Sequence, residues 1–369
     1  MVTRVLVVDD SAFMRRLLSE MIQEFPDFEV AGTARNGADA LQQVTLLRPD
    51  VITMDVEMPI MDGLQALGEI MRVRPTPVVM LSSLTQEGAD ATIQALMLGA
   101  VDFIAKPSGS ISVDLVHKQN EIQAKLKAAV ASRTYIRRLE SEAPQVPRTM
   151  PVELKLPPIP SREPVKNVKG ICAIGTSTGG PKALDAVICS LPADLSVPVV
   201  VVQHMPPKFT ASLAQRLDQH SELHVVEARH HQTLEPGFVY IAPGGKHMEV
   251  EGTAAGFYRI VIHEQDTVNG HRPSVDVLFD SVTRLKGLKK SYVIMTGMGG
   301  DGAHGMQRAK QADPQVVTLG ESESTCVVYG MPRVAAELKC VDHVLPLTQI
   351  SRKISEVFSS ISRIPRRLQ

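Results

Sequence analysis

The sequence has almost no net charge: 39 lysines and arginines against 40 aspartates and glutamates leave −1 over 369 residues. Bulk electrostatic attraction to nucleic acid or an anionic membrane is therefore excluded. The terminal "SRIPRRLQ" is locally basic but short, and reads as a solvated tail. No apolar run approaches the roughly 20 residues of a membrane span, so direct membrane insertion is not expected. No signal peptide precedes the first strand pattern. The four cysteines (172, 189, 326, 340) form no C-x-x-C pair. The first two lie in apolar segments and read as reduced core residues. A cytoplasmic protein is the expectation. Neither half contains an internal repeat.

What the chain does have is short apolar runs alternating with helix-period stretches, the pattern of α/β folds. Its length points to two domains, and a hydrophobic content of 44% suffices for their cores. In the first half the strand candidates are "VLVVDD", "FEVAGTA", "DVITMD", "TPVVMLSS" and "VDFIAKP", separated by helical patterns. Continuous apolar strands predict a five-stranded, doubly wound parallel sheet covered on both faces. A polar helical pattern follows over residues 112–140, and then a stretch dense in proline that reads as an extended linker. From about residue 168 the alternation resumes with "GICAIG", "VPVVVVQH", "LHVVEA", "YRIVIH", "SYVIMTG" and "QVVTLG", while "GFVYIAPGGKHMEVEG" reads as a β-hairpin. The expected organisation is an α/β domain over 1–130, a helical then Pro-rich linker over 131–167, and a second doubly wound α/β domain with a hairpin over 168–360.

Polar residues collect at the carboxyl ends of the first-half strands: Asp9 and Asp10, Asp55, Ser82 and Lys106. In an open parallel sheet that edge binds ligands, so these residues can converge. Clustered carboxylates need a cation, and hard oxygen ligands with room for water suit Mg²⁺. With Mg²⁺ and Lys106 offsetting charge, one aspartate could accept a phosphoryl group. Residues 1–130 resemble a two-component receiver domain through "VDDS", "DVEMPIMDG", "VVMLSS" and "KP". The resemblance implies Asp55 as phospho-acceptor and Asp9 and Asp10 as the acidic pair holding Mg²⁺. It also implies Glu57 as a backbone carbonyl ligand, Ser82 as the switch hydroxyl and Lys106 as the phosphate-contacting lysine. Ser83 is adjacent and leaves the choice of hydroxyl open.

In the second half, "GTSTGGPKAL" allows two readings. As a phosphate loop it fails, because Pro181 stands where the lysine belongs and has no N–H to offer a phosphate. As G-x-S-x-G it is intact, with Ser177 between an apolar strand and a helix that opens with proline. A serine hydroxyl needs a base, and His204 ends the strand of the next β–α unit. Asp301, in the Gly-rich loop after "SYVIMTG", can orient that base, and the loop backbone can face an oxyanion. The same loop is a literal G-x-G-x-x-G with Glu321 about twenty residues on, as in dinucleotide sites. Asp301 would put a negative charge inside such a phosphate loop. The cluster His220, His224, His230 and His231 lacks the Glu or Cys of a known metal site and reads as surface.

The order Ser177, His204, Asp301 differs from that of α/β-hydrolases. Through "GTSTGGP", "VVQHMP", "IAPGGKHM", "RPSVDVLF" and "TGMGGDGA", residues 168–360 resemble the catalytic domain of chemotaxis protein-glutamate methylesterase. The resemblance implies Ser177 as nucleophile, His204 as base, Asp301 as its orienting acid and the Met298 N–H as oxyanion donor, with no cofactor for the ester chemistry. It implies methyl-accepting chemoreceptor helices as substrate, deamidation of receptor glutamines as a second reaction, and a chemotaxis histidine kinase as phosphodonor to Asp55. An unphosphorylated receiver is expected to block the esterase loops and phosphate to relieve the block. A receiver-driven module that docks without chemistry is the non-enzymatic alternative.

Overall fold

The computed structural model describes residues 2–106, 114–133 and 168–361. The Pro-rich stretch, Pro107 of the Lys-Pro pair and the basic tail lie outside the described residues. The chain divides into two compact units, Met1–Ala143 and Pro144–Gln369.

The first unit alternates strand and helix throughout: β1 (Thr3–Val8), α1 (Ala12–Gln23), β2 (Phe28–Ala34), α2 (Gly37–Leu47), β3 (Val51–Asp55), α3 (Gly63–Val73), β4 (Val78–Ser82), α4 (Gln86–Leu98), β5 (Asp102–Ala105) and α5 (Asp114–Ala131). The strands form one sheet in the order β2-β1-β3-β4-β5. Every pairing is parallel. Each residue of β3 and β4 is buried, as a sheet covered on both faces requires. The helices start on side-chain caps that the sequence supplies: Ser11 accepts from the Met14 N–H, and Asp62 with Gln65 forms a capping box. The strand order turns between β1 and β3, which opens a crevice at their carboxyl ends.

The second unit contains β6 (Gly170–Thr176), α6 (Gly180–Ile188), β7 (Val199–Gln203), α7 (Phe209–His220), β8 (His224–Glu227), β9 (Phe238–Ile241), β10 (His247–Gly252), β11 (Tyr258–His263), α8 (Val275–Arg284), β12 (Lys289–Ile294), α9 (Ala303–Ala312), β13 (Val317–Glu321), α10 (Met331–Glu337), β14 (His343–Leu345) and α11 (Leu347–Phe358). Seven strands form a sheet in the order β14-β13-β12-β6-β7-β9-β8, again with parallel pairings. β6 and β7 are wholly buried, and Phe209, Tyr240, Phe279 and Tyr292 anchor the core at no more than 1% exposure.

The hairpin differs from its expected place. Phe238–Ile241 joins the main sheet beside β7, parallel to it, while His247–Gly252 pairs antiparallel with Tyr258–His263. The residue pattern explains the division. "FVYI" is apolar throughout and buries both faces, whereas "HMEVEG" alternates and buries one.

Candidate active site

β6 lies between β12 and β7, so the turns leaving these three strands meet at one edge of the sheet. Ser177 follows β6 directly. Its N–H donates to the Thr296 carbonyl beyond β12 at 3.0 Å, and its carbonyl accepts from the Gly180 N–H at 2.8 Å. Gln203, the last residue of β7, donates to that same carbonyl at 2.9 Å and accepts from the Thr176 hydroxyl at 2.5 Å. The turn needs glycine at two points. Gly179 has φ +76°, which disfavours any side chain. A Cβ on Gly297 would lie 2.7 Å from the Ser177 Cβ. The half-buried serine is thus fixed by hydrogen bonds to residues at the ends of both neighbouring strands, the Thr296 carbonyl and the Gln203 side chain.

His204 follows β7, and its N–H donates to the Thr176 carbonyl at 3.2 Å. Its Nε2 lies 2.9 Å from Asp301 Oδ2. Asp301 stands in the Gly-rich turn between β12 and α9, its side chain 1% exposed. Four further donors reach it: the Asn269 amide at 3.0 Å, the Ser274 hydroxyl at 2.9 Å, the Val275 N–H at 2.7 Å and the Asp276 N–H at 3.2 Å. The last two are unpaired N–H groups at the start of α8, where the helix dipole also favours an anion. Burial alone would raise the Asp301 pKa. The hydrogen bond and charge of His204, with the Asn269 and Val275 donors, outweigh it and hold the carboxyl well below the usual carboxylate range.

A carboxylate kept charged in this way favours the His204 tautomer with its proton on Nε2. The lone pair then sits on Nδ1, which is buried without a hydrogen-bond partner among the described residues. Ser177 Oγ is not hydrogen bonded to it in this structure, and such contacts tighten when substrate arrives. Met298 lies in the same turn as Asp301 and is half-buried. Its N–H has no protein partner among the described residues, while that of the preceding Gly297 is used by the Val328 carbonyl at 3.0 Å. The edge therefore brings together a serine, an imidazole with a free basic nitrogen, a charged carboxylate and an uncommitted backbone donor.

Several residues at this edge carried no sequence signal of their role. Asn269, Ser274 and the Asp276 backbone hold Asp301. His271 stacks on His204 with ring centres 3.8 Å apart and planes 9° from parallel. Burial, then the neighbouring His204, pushes the His271 pKa down to about 4, so this second imidazole is neutral. Glu321 is buried, accepting from the Thr296 N–H at 2.8 Å and the Thr325 hydroxyl at 2.9 Å. It supports the residue that holds Ser177 and is not available to a ribose, which argues against the dinucleotide reading of the Gly-rich turn.

In the first unit Asp9, Asp10 and Asp55 offer oxygens that all lie within 4.8 Å of one another. Asp9 and Asp55 are buried and Asp10 is exposed. Lys106 Nζ stands 2.6 Å from Asp55 Oδ2 and 3.1 Å from Asp9 Oδ2. Burial pushes the Asp55 carboxyl up to about 6 against the pull of Lys106. Asp9 Oδ2 is buried with the Lys106 ammonium as its neighbour, and Asp9 Oδ1 accepts from the Ser11 N–H at 2.9 Å. An oxygen-only set of three clustered carboxylates, with the lysine Lys106 beside two of them, fits a hard divalent cation such as Mg²⁺. Glu57 is exposed, with its N–H 3.4 Å from Asp55 Oδ1. The Ser82 hydroxyl donates to the Gly88 carbonyl at 3.0 Å, and the Ser83 hydroxyl pairs with Thr85 at 3.0 Å.

Residues 172–354 match the family model described as CheB methylesterase, and residues 5–116 match the response regulator receiver domain. The protein-glutamate methylesterase/protein-glutamine glutaminase of Halalkalibacterium halodurans is 47% identical over 353 residues, 95% of this chain and 97% of that protein. The protein of the same name from Symbiobacterium thermophilum is 48% identical over 366 residues, 95% and 96% of the two chains. Among solved structures, the Thermotoga maritima CheB methylesterase catalytic domain is 43% identical with a TM-score of 0.49, covering 51% of this chain and 98% of that one.

Proposed function

The chain belongs to the CheB methylesterase family, and from that premise we propose that it hydrolyses γ-glutamyl methyl esters on chemoreceptor helices with Ser177, His204 and Asp301 as its catalytic groups. What supports this reading most is their meeting at the ends of three adjacent parallel strands, with the His204–Asp301 bond at 2.9 Å.

Ser177 Oγ attacks the ester carbonyl carbon while His204 Nδ1 takes the hydroxyl proton. Negative charge moves to the carbonyl oxygen, where the Met298 N–H is the donor available to receive it. Asp301 stays ionised and stabilises the imidazolium. As the C–O bond to the methoxy group breaks, His204 returns the proton and methanol leaves. Water then gives a proton to His204 and attacks the acyl-serine, which releases the receptor glutamate and restores Ser177. With a glutamine side chain the same steps release ammonia.

The receiver makes this a response-regulator esterase. Asp55 takes a phosphoryl group from a chemotaxis histidine kinase. Asp9, Asp10 and Asp55, with the Glu57 carbonyl, would hold Mg²⁺, which supplies charge neutralisation at the phosphoryl oxygens when bound. Lys106 contacts the phosphoryl oxygens, and Ser82 is the hydroxyl that exchanges its bond to Gly88 for one of them. The test is methanol release from methylated receptor membranes with and without a small-molecule phosphodonor and Mg²⁺. Release that rises with the phosphodonor, and an Asp55→Asn variant that neither takes label nor responds, is the expected result. No methanol under any of these conditions would remove the esterase assignment.

A further inference from the structure

Between β11 and α8 runs a connection, residues 264–274, with no regular element of its own. It is nonetheless pinned at several points. Val268 and His271 exchange N–H···O bonds at 3.1 and 2.9 Å across Asn269 and Gly270. Both central residues have positive φ, +54° and +78°. That is a two-residue turn of the mirror-image type, for which Asn-Gly is the preferred pair. Arg272 donates to the Glu264 and Gln265 carbonyls at 3.0 and 3.1 Å, which closes the base of the loop. His247, 1% exposed, spans it from within, with Nε2 at 3.0 Å from the Asp266 carbonyl and Nδ1 accepting from the Ser274 N–H at 3.3 Å. Burial lowers the His247 pKa, and one donating and one accepting nitrogen are the pattern of a neutral imidazole.

The turn so fixed touches both partners of the His204–Asp301 pair. From Asn269, Nδ2 donates to Asp301 Oδ1 at 3.0 Å and to Asp276 Oδ2 at 2.8 Å. One amide therefore separates two carboxylates that would otherwise repel. From His271, the ring lies flat on that of His204 at 3.8 Å. A flat ring at van der Waals contact blocks rotation of the His204 imidazole out of line with Asp301 and keeps water from one of its faces. The titratable groups facing His271 are His204 beyond β7 and Asp301 beyond β12.

We propose that the Val268–His271 turn is a positioning element for the catalytic base: Asn269 fixes the carboxylate and His271 backs the imidazole. Neither side chain touches the reacting atoms. Both act through His204 and Asp301, so the inference rests on the catalytic reading above. It also assigns a purpose to the pinning of the loop, since a turn that positions a base must be rigid before substrate arrives.

Methanol release from methylated receptor membranes tests this in the full chain, with kcat and KM resolved across pH. Asn269→Gly keeps the backbone conformation and removes the amide. His271→Ala removes the ring, and His271→Phe restores a flat ring that cannot titrate. In Asn269→Gly and His271→Ala, kcat is expected to fall roughly ten- to a hundredfold with KM nearly unchanged. In His271→Ala the acid limb of kcat should also move to higher pH, because water reaching His204 favours the imidazolium. His271→Phe should return both towards wild type. Unchanged kcat in Asn269→Gly and His271→Ala, or a rise in KM alone, overturns the proposal. So does a folded His271→Phe whose kcat lies tenfold or more below wild type, and this arm decides the matter should the alanine variant not fold. Ser177→Ala is run beside them. Activity surviving in that variant would refute the catalytic reading itself, whereas an inactive Ser177→Ala with normal turn variants would refute only the role of the turn.

Discussion

At the residue scale, two buried carboxylates of the second unit are held in opposite states. Asp301 accepts five hydrogen bonds and is pulled well below the normal range despite its burial. Glu321 has fewer partners, and burial pushes it from 4.5 up to about 7. The two give opposite pH dependences. A raised carboxyl pKa means that the folded chain binds the proton more tightly than the unfolded one. The stability this contributes is complete below about pH 4.5 and lost as pH rises through 7. The size is roughly 3 kcal/mol by linkage. Asp301, depressed, contributes stability that is present above the ordinary carboxylate pKa and disappears only in stronger acid. Glu321→Gln is therefore expected to flatten the fall in stability of the second unit between pH 5 and pH 8, and to be the more stable form at pH 8. Its amide oxygen can still take the Thr296 N–H. Denaturant midpoints at the two pH values check this, and a variant with the wild-type slope would place the titration elsewhere.

At the element scale, the carboxylate of Asp301 doubles as the anion at the start of α8. Asp301→Ala would leave the Val275 and Asp276 N–H groups and the Ser274 hydroxyl buried without their acceptor. That costs on the order of 2–5 kcal/mol, beyond any loss of activity. Chemical denaturation followed in the second unit should show it, and a midpoint equal to wild type would contradict it. The elements themselves were largely legible from sequence, for a physical reason. A strand buried on both faces must be apolar throughout, and polar residues at its carboxyl end stand out, as Asp55, His204 and Ser177 do. The hairpin was misplaced because "FVYI" and "HMEVEG" adjoin across a Gly-rich turn, and only their different burial patterns tell a central strand from an excursion. β14 was illegible because its three residues, none of them buried, carry no periodic signal. Asn269 and His271 were illegible as site residues. "NG" announces a turn, but what the turn touches depends on contacts with Asp301 and His204, 32 residues later and some 67 residues earlier in the chain.

At the scale of the whole molecule, a receiver and an esterase share one chain, and each has its polar residues at the carboxyl edge of a parallel sheet. On the proposed reading, regulation through Asp55 needs only ~1.4 kcal/mol of difference between two states for a tenfold change in activity. If the unphosphorylated receiver restrains the esterase, residues from about 165 onward expressed alone should outperform the unphosphorylated whole chain and ignore a phosphodonor. A fragment no faster than the whole chain would mean instead that phosphorylation stimulates or recruits. Neither outcome bears on the claim underneath, that the ester is broken by Ser177 acting with His204 and Asp301. That claim is tested most directly by the rate of methanol release from methylated receptor membranes by Ser177→Ala, with its folding verified and its concentration matched to wild type. Loss of at least about a thousandfold is expected, with little further loss when His204→Ala is added, because the groups act as a unit. A Ser177→Ala enzyme that kept a tenth or more of the wild-type rate would contradict it.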